Sequence, residues 1–64
     1  MTAIGDRIRL IDMPDDPDPL PEGVEGTVVM VIEWNGAEQI AVAWDDGQQR
    51  GLTAPPDTFV VIRS

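Results

Sequence analysis

Between Gly23 and Trp34 the chain reads as an extended strand with apolar residues on both faces. Val24, Gly26, Val28, Met30, Ile32 and Trp34 fall on one side, and Glu25, Thr27, Val29, Val31 and Glu33 on the other. A strand apolar on both faces serves two packing layers in turn, which a small barrel achieves by bending one long strand across a corner. The run is too short to span a membrane, and its β-branched content favours extended chain.

The flanking segments are cut to pair with it. Asp6 to Asp12 alternates, with Ile8 and Leu10 on one side and Arg7, Arg9 and Ile11 on the other, as in a half-buried strand. The preceding Met1 to Gly5 reads as a leader, frayed up to Ile4. Met13 to Glu22 carries four prolines and forms no regular element. It reads as an ordered excursion, because Met13 and Leu20 are placed to tuck under it. Asn35-Gly36 is a strong hairpin signal, since both residue types tolerate positive φ. Gln39 to Asp45 also fits a helical stripe through Ala37, Ile40, Ala41 and Trp44. The cleaner alternation of Ile40, Val42 and Trp44 between turn signals selects a strand. Asp46-Gly47 predicts a second hairpin turn. Gln48 to Thr53 is a weak strand with Leu52 as its core residue, Ala54 to Thr58 is a tight turn, and Phe59 to Arg63 is the last strand.

Five short strands with a long Pro/Asp-rich loop after the first predict an all-β chain, a five-stranded SH3-like barrel formed by residues 1–64 as one domain. An OB-like barrel ranks second, because it normally needs a helix and more residues. The predicted interior is Ile8, Leu10, Val28, Met30, Ile40, Val42, Leu52, Phe59 and Val61. That leaves Ile11, Val29, Val31, Val60 and Ile62 facing outward on strands that neighbour one another in such a barrel. These five are the candidate interface of a homo-oligomer, since burying such side chains stabilises by about 1.5–3 kcal/mol each.

Composition narrows the chemistry. The chain has 64 residues, 12 acids against 4 arginines, no histidine and no cysteine, and a net charge of −8. Neither a disulfide nor a cysteine–histidine zinc site is available to a domain this small. A strongly negative surface repels phosphate backbones, so direct nucleic-acid binding is not expected, and a basic protein is the natural partner. The same charge also keeps a small protein soluble. Without His, Cys or Lys the usual nucleophile–base pairs are not available, and Ser64, the only serine, is terminal. The expectation is no enzyme, no catalytic residue, no metal and no cofactor. No apolar run of signal-peptide or membrane-span length occurs, which places the chain by default in the cytoplasm and off the membrane.

Gly5-Asp6-Arg7-Ile8-Arg9-Leu10, the acidic proline loop Met13 to Pro21, and Gly23-Val24-Glu25-Gly26-Thr27-Val28 together resemble a family of small uncharacterised domains. Members occur in phages, plasmids and actinobacterial or firmicute genomes, and Val42-Ala43-Trp44-Asp45-Asp46-Gly47 and Phe59-Val60-Val61 also look like its pattern. The resemblance implies the fold and a mobile-element setting, and it carries no catalytic residues. More loosely, the first of these stretches followed by Gly26-Thr27-Val28 is similar to KOW-type half-barrels. The basic residues with which those touch RNA are acids here.

Two binding readings follow. In the first, Asp15, Asp16 and Asp18 act as the acidic loop of a peptide-binding SH3 domain, gripping a basic residue of a protein partner beside Trp34 or Trp44. Core or rim packing, with the indole N–H finding a carbonyl, is the competing role for both tryptophans. The crowded loop acids do not follow a calcium-loop order, and prolines interrupt the curl such a site needs. In the second, an oligomer holds a small ligand or nucleotide between subunits, with Arg7, Arg9, Arg50 and Trp44 around a phosphate. Arginines converging near a tryptophan would favour the second; arginines paired singly with acids would remove it.

Overall fold

The structure, a computed structural model, describes residues 2–63. Met1 and Ser64 lie outside the described residues. Five strands form one antiparallel sheet: β1 (Arg7–Asp12), β2 (Glu25–Trp34), β3 (Ala37–Trp44), β4 (Gln49–Ala54) and β5 (Thr58–Arg63). Their order is β4-β3-β2-β1-β5, a β2-β3-β4 meander with β5 returned beside β1. One face of this sheet encloses Ile8, Leu10, Met13, Leu20, Val28, Ile40, Val42, Trp44 and Leu52, with Val24, Val31 and Phe59 packed against them. A single core shared by all five strands requires the sheet to curl, as in the SH3-like barrel expected from the sequence.

Local chemistry explains the boundaries. The β2–β3 hairpin turns at Asn35 and Gly36, with φ of 53° and 79°, the pair of positive values that a two-residue hairpin loop demands. The β3–β4 hairpin uses a longer loop than Asp46-Gly47 alone. The Gly47 N–H donates to the Trp44 carbonyl and the Trp44 N–H to the Gln48 carbonyl. Gly47 takes the left-handed position at φ 92°. In β3 the helical alternative loses, because Ile40, Val42 and Trp44 are buried in strict alternation.

The long loop is ordered, as its sequence implies. Its neck is closed where Leu10 N–H donates to the Val24 carbonyl and Gly23 N–H to the Leu10 carbonyl, both at 2.8 Å. Met13 and Leu20 are buried beneath it. The expected frayed leader is corrected over its described part. Ala3 N–H donates to the Asp6 carboxylate at 2.9 Å, and Gly5 N–H donates to the Val28 carbonyl at 2.8 Å. Residues 3–6 are thereby pinned to β2.

The main correction lies in β2. Val28 stands opposite Val42, but Met30 stands opposite Ala41, so Val29 is an extra residue in the ladder. Such a bulge shifts the alternation by one position. Val31, expected outside, turns toward the core opposite buried Ile40. Met30, Ile32 and Trp34, expected inside, turn outward. Val61 is corrected too. It pairs with fully buried Ile8 but lies on the last strand of the sheet, where no further strand among the described residues covers it.

Candidate protein-interaction surface

The arginines are each placed by cross-strand register. Arg7 and Arg9 stand opposite Thr27 and Glu25 on β2. Arg7 donates to Asp45 through both terminal nitrogens, at 2.8 and 2.6 Å, and to the Thr27 hydroxyl at 3.0 Å. Those hydrogen bonds from Arg7 hold the Asp45 carboxyl below its usual value, against the opposing effect of desolvation, and raise the Arg7 guanidinium in turn. Arg9 donates to Glu25 at 3.1 and 3.3 Å. Arg50 reaches from β4 to the acidic loop, donating to the Asp16 carboxylate and, at 2.7 Å, to the Asp18 carbonyl.

Arg7, Arg9, Arg50 and Trp44 therefore do not gather around one cavity. Each of these guanidiniums is engaged by acids of its own chain, the arrangement that removes the observation on which the small-ligand reading rested. Trp44 is only 3% exposed, with its indole N–H donating to the Arg50 carbonyl at 3.1 Å. The packing role expected for the tryptophans holds for Trp44 and fails for Trp34.

The acidic loop is likewise internally tied. Asp16 receives Arg50 on one oxygen and the Asp18 N–H on the other, at 2.8 Å. A shallow groove of about 320 Å³ separates the loop from the Pro56 turn, lined by Asp15, Asp16, Pro17, Thr53, Pro56 and Asp57. Neither tryptophan lines it, which corrects the expected aromatic shelf beside Asp15, Asp16 and Asp18. Trp44 is beneath the surface, and Trp34 sits at the far hairpin. Among the described residues, no three carboxylates are grouped so as to hold a metal ion.

The surface that stands out is the outer side of β2, β3 and β4. The bulge at Val29 sends Met30, Ile32 and Trp34 outward, and they are 52%, 53% and 66% exposed. Opposite them on β3 are Ala41, Gln39 and Ala37, and beyond Ala41 on β4 is Gly51. The large side chains of β2 thus wall a trough whose floor is small. Two depressions, of about 330 and 360 Å³, run together there, both lined by Ala41 and Gly51. No outward position from Val29 to Trp34 on β2, or on the facing parts of β3 and β4, is charged. The acids stand at its ends, Glu33 and Glu38 beside Trp34, and Asp45 and Asp46 at the opposite hairpin.

Residues 3–62 match the model of a family described as Domain of unknown function (DUF4314). The chain belongs to this family. No curated protein and no solved structure matches it. The DUF4314 match takes in the proline loop, the outer trough and nearly all of β5.

In this DUF4314 domain the five residues expected to form one oligomer patch are divided. Ile11, Val60 and Ile62 are exposed along β1 and β5. Val29 lies on the bulge at the edge of the trough, and Val31 is committed to the core. Sequence alternation missed the trough because it assigned Met30, Ile32 and Trp34 to the wrong face. A readable signal remained in Ala41, Ala43 and Gly51, outward positions left uncharged in a chain of net charge −8.

Proposed function

We propose that this domain is a non-enzymatic, self-associating interaction module of a phage or other mobile element, working in the cytoplasm and docking a basic protein partner on the outer face of β2, β3 and β4. The observation that carries the docking surface is the apolar trough of Met30, Ile32 and Trp34 on a highly charged protein. Exposed contiguous apolar surface rimmed by polar groups is characteristic of protein-binding sites. The acidic ends define the occupant as a surface with an apolar centre and lysines or arginines around it. A nucleic-acid-binding protein of the host has that chemistry. The negative charge disfavours direct contact with nucleic acid or an anionic membrane. The mobile-element setting rests on the motif resemblance.

The test is capture of host proteins on the immobilised domain, followed by titration with the purified partner. The expected partner loses about tenfold in affinity on substitution Ile32→Lys, and binds more weakly at high salt as its basic rim is screened. A partner bound equally well by the Ile32→Lys variant overturns the docking surface. Binding unchanged by salt overturns the basic rim.

A further inference from the structure

β2 outruns its neighbour on one side. β1 pairs with it only from Glu25 to Thr27, whereas β3 follows it to Trp34. Among the described residues, the last backbone bonds on the β1 side join Gly5 N–H to the Val28 carbonyl and Val28 N–H to the Asp6 carbonyl, at 2.8 and 2.9 Å. The segment before them does not run on beside β2. It turns, with Asp6 N–H donating to the Ala3 carbonyl at 3.1 Å, and the Thr2 hydroxyl donates to Glu38 at 3.3 Å. From Val29 to Trp34, β2 therefore has a strand on one side and, among the described residues, none on the other. The hairpin decides which backbone groups face that open side. Trp34 and Ala37 close a two-residue loop, so they form a hydrogen-bonded pair, and Ile32 and Met30 follow at every second position. Val31 and Glu33 alternate with them and point their N–H and C=O groups away from β3.

The side chains along this edge state what it accepts. Met30, Ile32 and Trp34 are exposed on the outer face. On the other face Glu33 stands directly opposite Glu38, a like-charge pair that works against the ladder. Among the described residues no arginine lies within ion-pair distance of either carboxylate. A charge on an open edge turns away strands that do not match it. Glu33 therefore turns away a second copy of this chain, whose net charge is −8, and admits a strand that brings a base. We infer that the basic partner adds an extended segment to the open side of β2, along Val29 to Trp34. Its alternate apolar side chains lie beside Met30, Ile32 and Trp34, and a lysine or arginine stands opposite Glu33. That base supplies the cation the Glu33–Glu38 pair lacks. Main-chain bonds to Val31 and Glu33 give affinity, and the alternating side chains give specificity. This rests on the docking surface proposed above and names the form of its occupant, a strand that continues the sheet.

The probe is a synthetic peptide in which valine alternates with lysine, with a control peptide carrying glutamate in place of lysine. Amide exchange is followed residue by residue by NMR. The lysine peptide is expected to slow exchange at Val31 and Glu33 by about tenfold or more, and to leave Ile32, already bonded to β3, unchanged. The glutamate peptide is expected not to bind at the same concentration. Glu33→Pro removes a donor that faces the open side and spares the β3 ladder, as proline does on an edge strand; about a tenfold loss of peptide affinity is expected. Glu33→Gln removes the charge alone and is expected to weaken binding less. Circular dichroism matching the natural chain confirms that both variants fold. Peptide binding that leaves Val31 and Glu33 exchange unchanged overturns strand addition, while docking on the outer face stands. Equal binding of the two peptides overturns the base opposite Glu33. A lysine peptide that does not bind at millimolar concentration overturns the inference, and the docking surface is then judged by Ile32→Lys against the captured partner.

Discussion

Arg7 grips Asp45 through both of its terminal guanidinium nitrogens, at 2.8 and 2.6 Å, joining β1 to the first residue beyond β3. The pair crosses β2, passing Thr27, and so ties three strands at one end of the sheet. Because Arg7 holds the Asp45 carboxyl below its ordinary value of 3.8, the pair stabilises the fold at neutral pH. The lowered value belongs to the folded state, so this contribution is complete above the unfolded carboxylate range and fades as pH falls through the folded value. A carboxyl-carbon NMR titration is expected to give Asp45 a midpoint below 3.8, returning to the ordinary range in Arg7→Gln. Added salt is expected to narrow the difference, since both groups face solvent. An unchanged Asp45 midpoint in Arg7→Gln would show that the grip does not form in solution.

Gly26 lies where β2 packs tightly against β3. A Cβ there would come within 2.7 Å of Val42 Cγ1 and 2.9 Å of the Ala43 carbonyl oxygen. Replacing glycine by alanine normally gains about 0.4–1 kcal/mol by restricting the unfolded chain. Overpacking a tight site costs about 1–3 kcal/mol, so the clash wins. Gly26→Ala is expected to lower the urea midpoint at unchanged slope.

The two tryptophans should separate spectroscopically. Trp34 is 66% exposed and Trp44 only 3%. Trp34→Phe is expected to leave blue-shifted emission that acrylamide quenches poorly, and Trp44→Phe to leave red-shifted, readily quenched emission. Trp44→Phe also removes the donor to the Arg50 carbonyl, a part-buried bond, at a cost of about 1–3 kcal/mol in denaturation.

The acidic loop is held by two kinds of contact of different weight. The Arg50–Asp16 pair is partly solvated, so Arg50→Ala is expected to cost no more than about 1 kcal/mol globally. It is nonetheless expected to speed amide exchange locally, at Asp16 and Asp18. Leu20 is buried, and Leu20→Ala is expected to cost about 2–5 kcal/mol. A larger global effect from Arg50→Ala than from Leu20→Ala would show that charge and not packing anchors the loop.

Much of the fold could be read without coordinates, wherever a residue's own chemistry decides its conformation. Asn35-Gly36 turns because those residues accept positive φ. Ile8 with Leu10, and Ile40 with Val42 and Trp44, declare their inward faces by simple alternation. Met13 and Leu20 mark the loop as anchored because they are apolar among acids and prolines. The binding surfaces were less legible. The trough depends on one extra residue at Val29, and the carboxylates of Asp45 and Asp16, which hold Arg7 and Arg50, lie more than thirty positions from them along the chain.

The amino-acid sequence by itself determined five strands, their turns, the negative surface and most of the core, because these follow from local geometry and solvation. Only the tertiary structure decided which way Met30, Ile32 and Trp34 face, which acids hold each arginine, and that β5 ends the sheet uncovered. Those outcomes belong to pairs of strands, and a pairing register is settled by the packing of both members together.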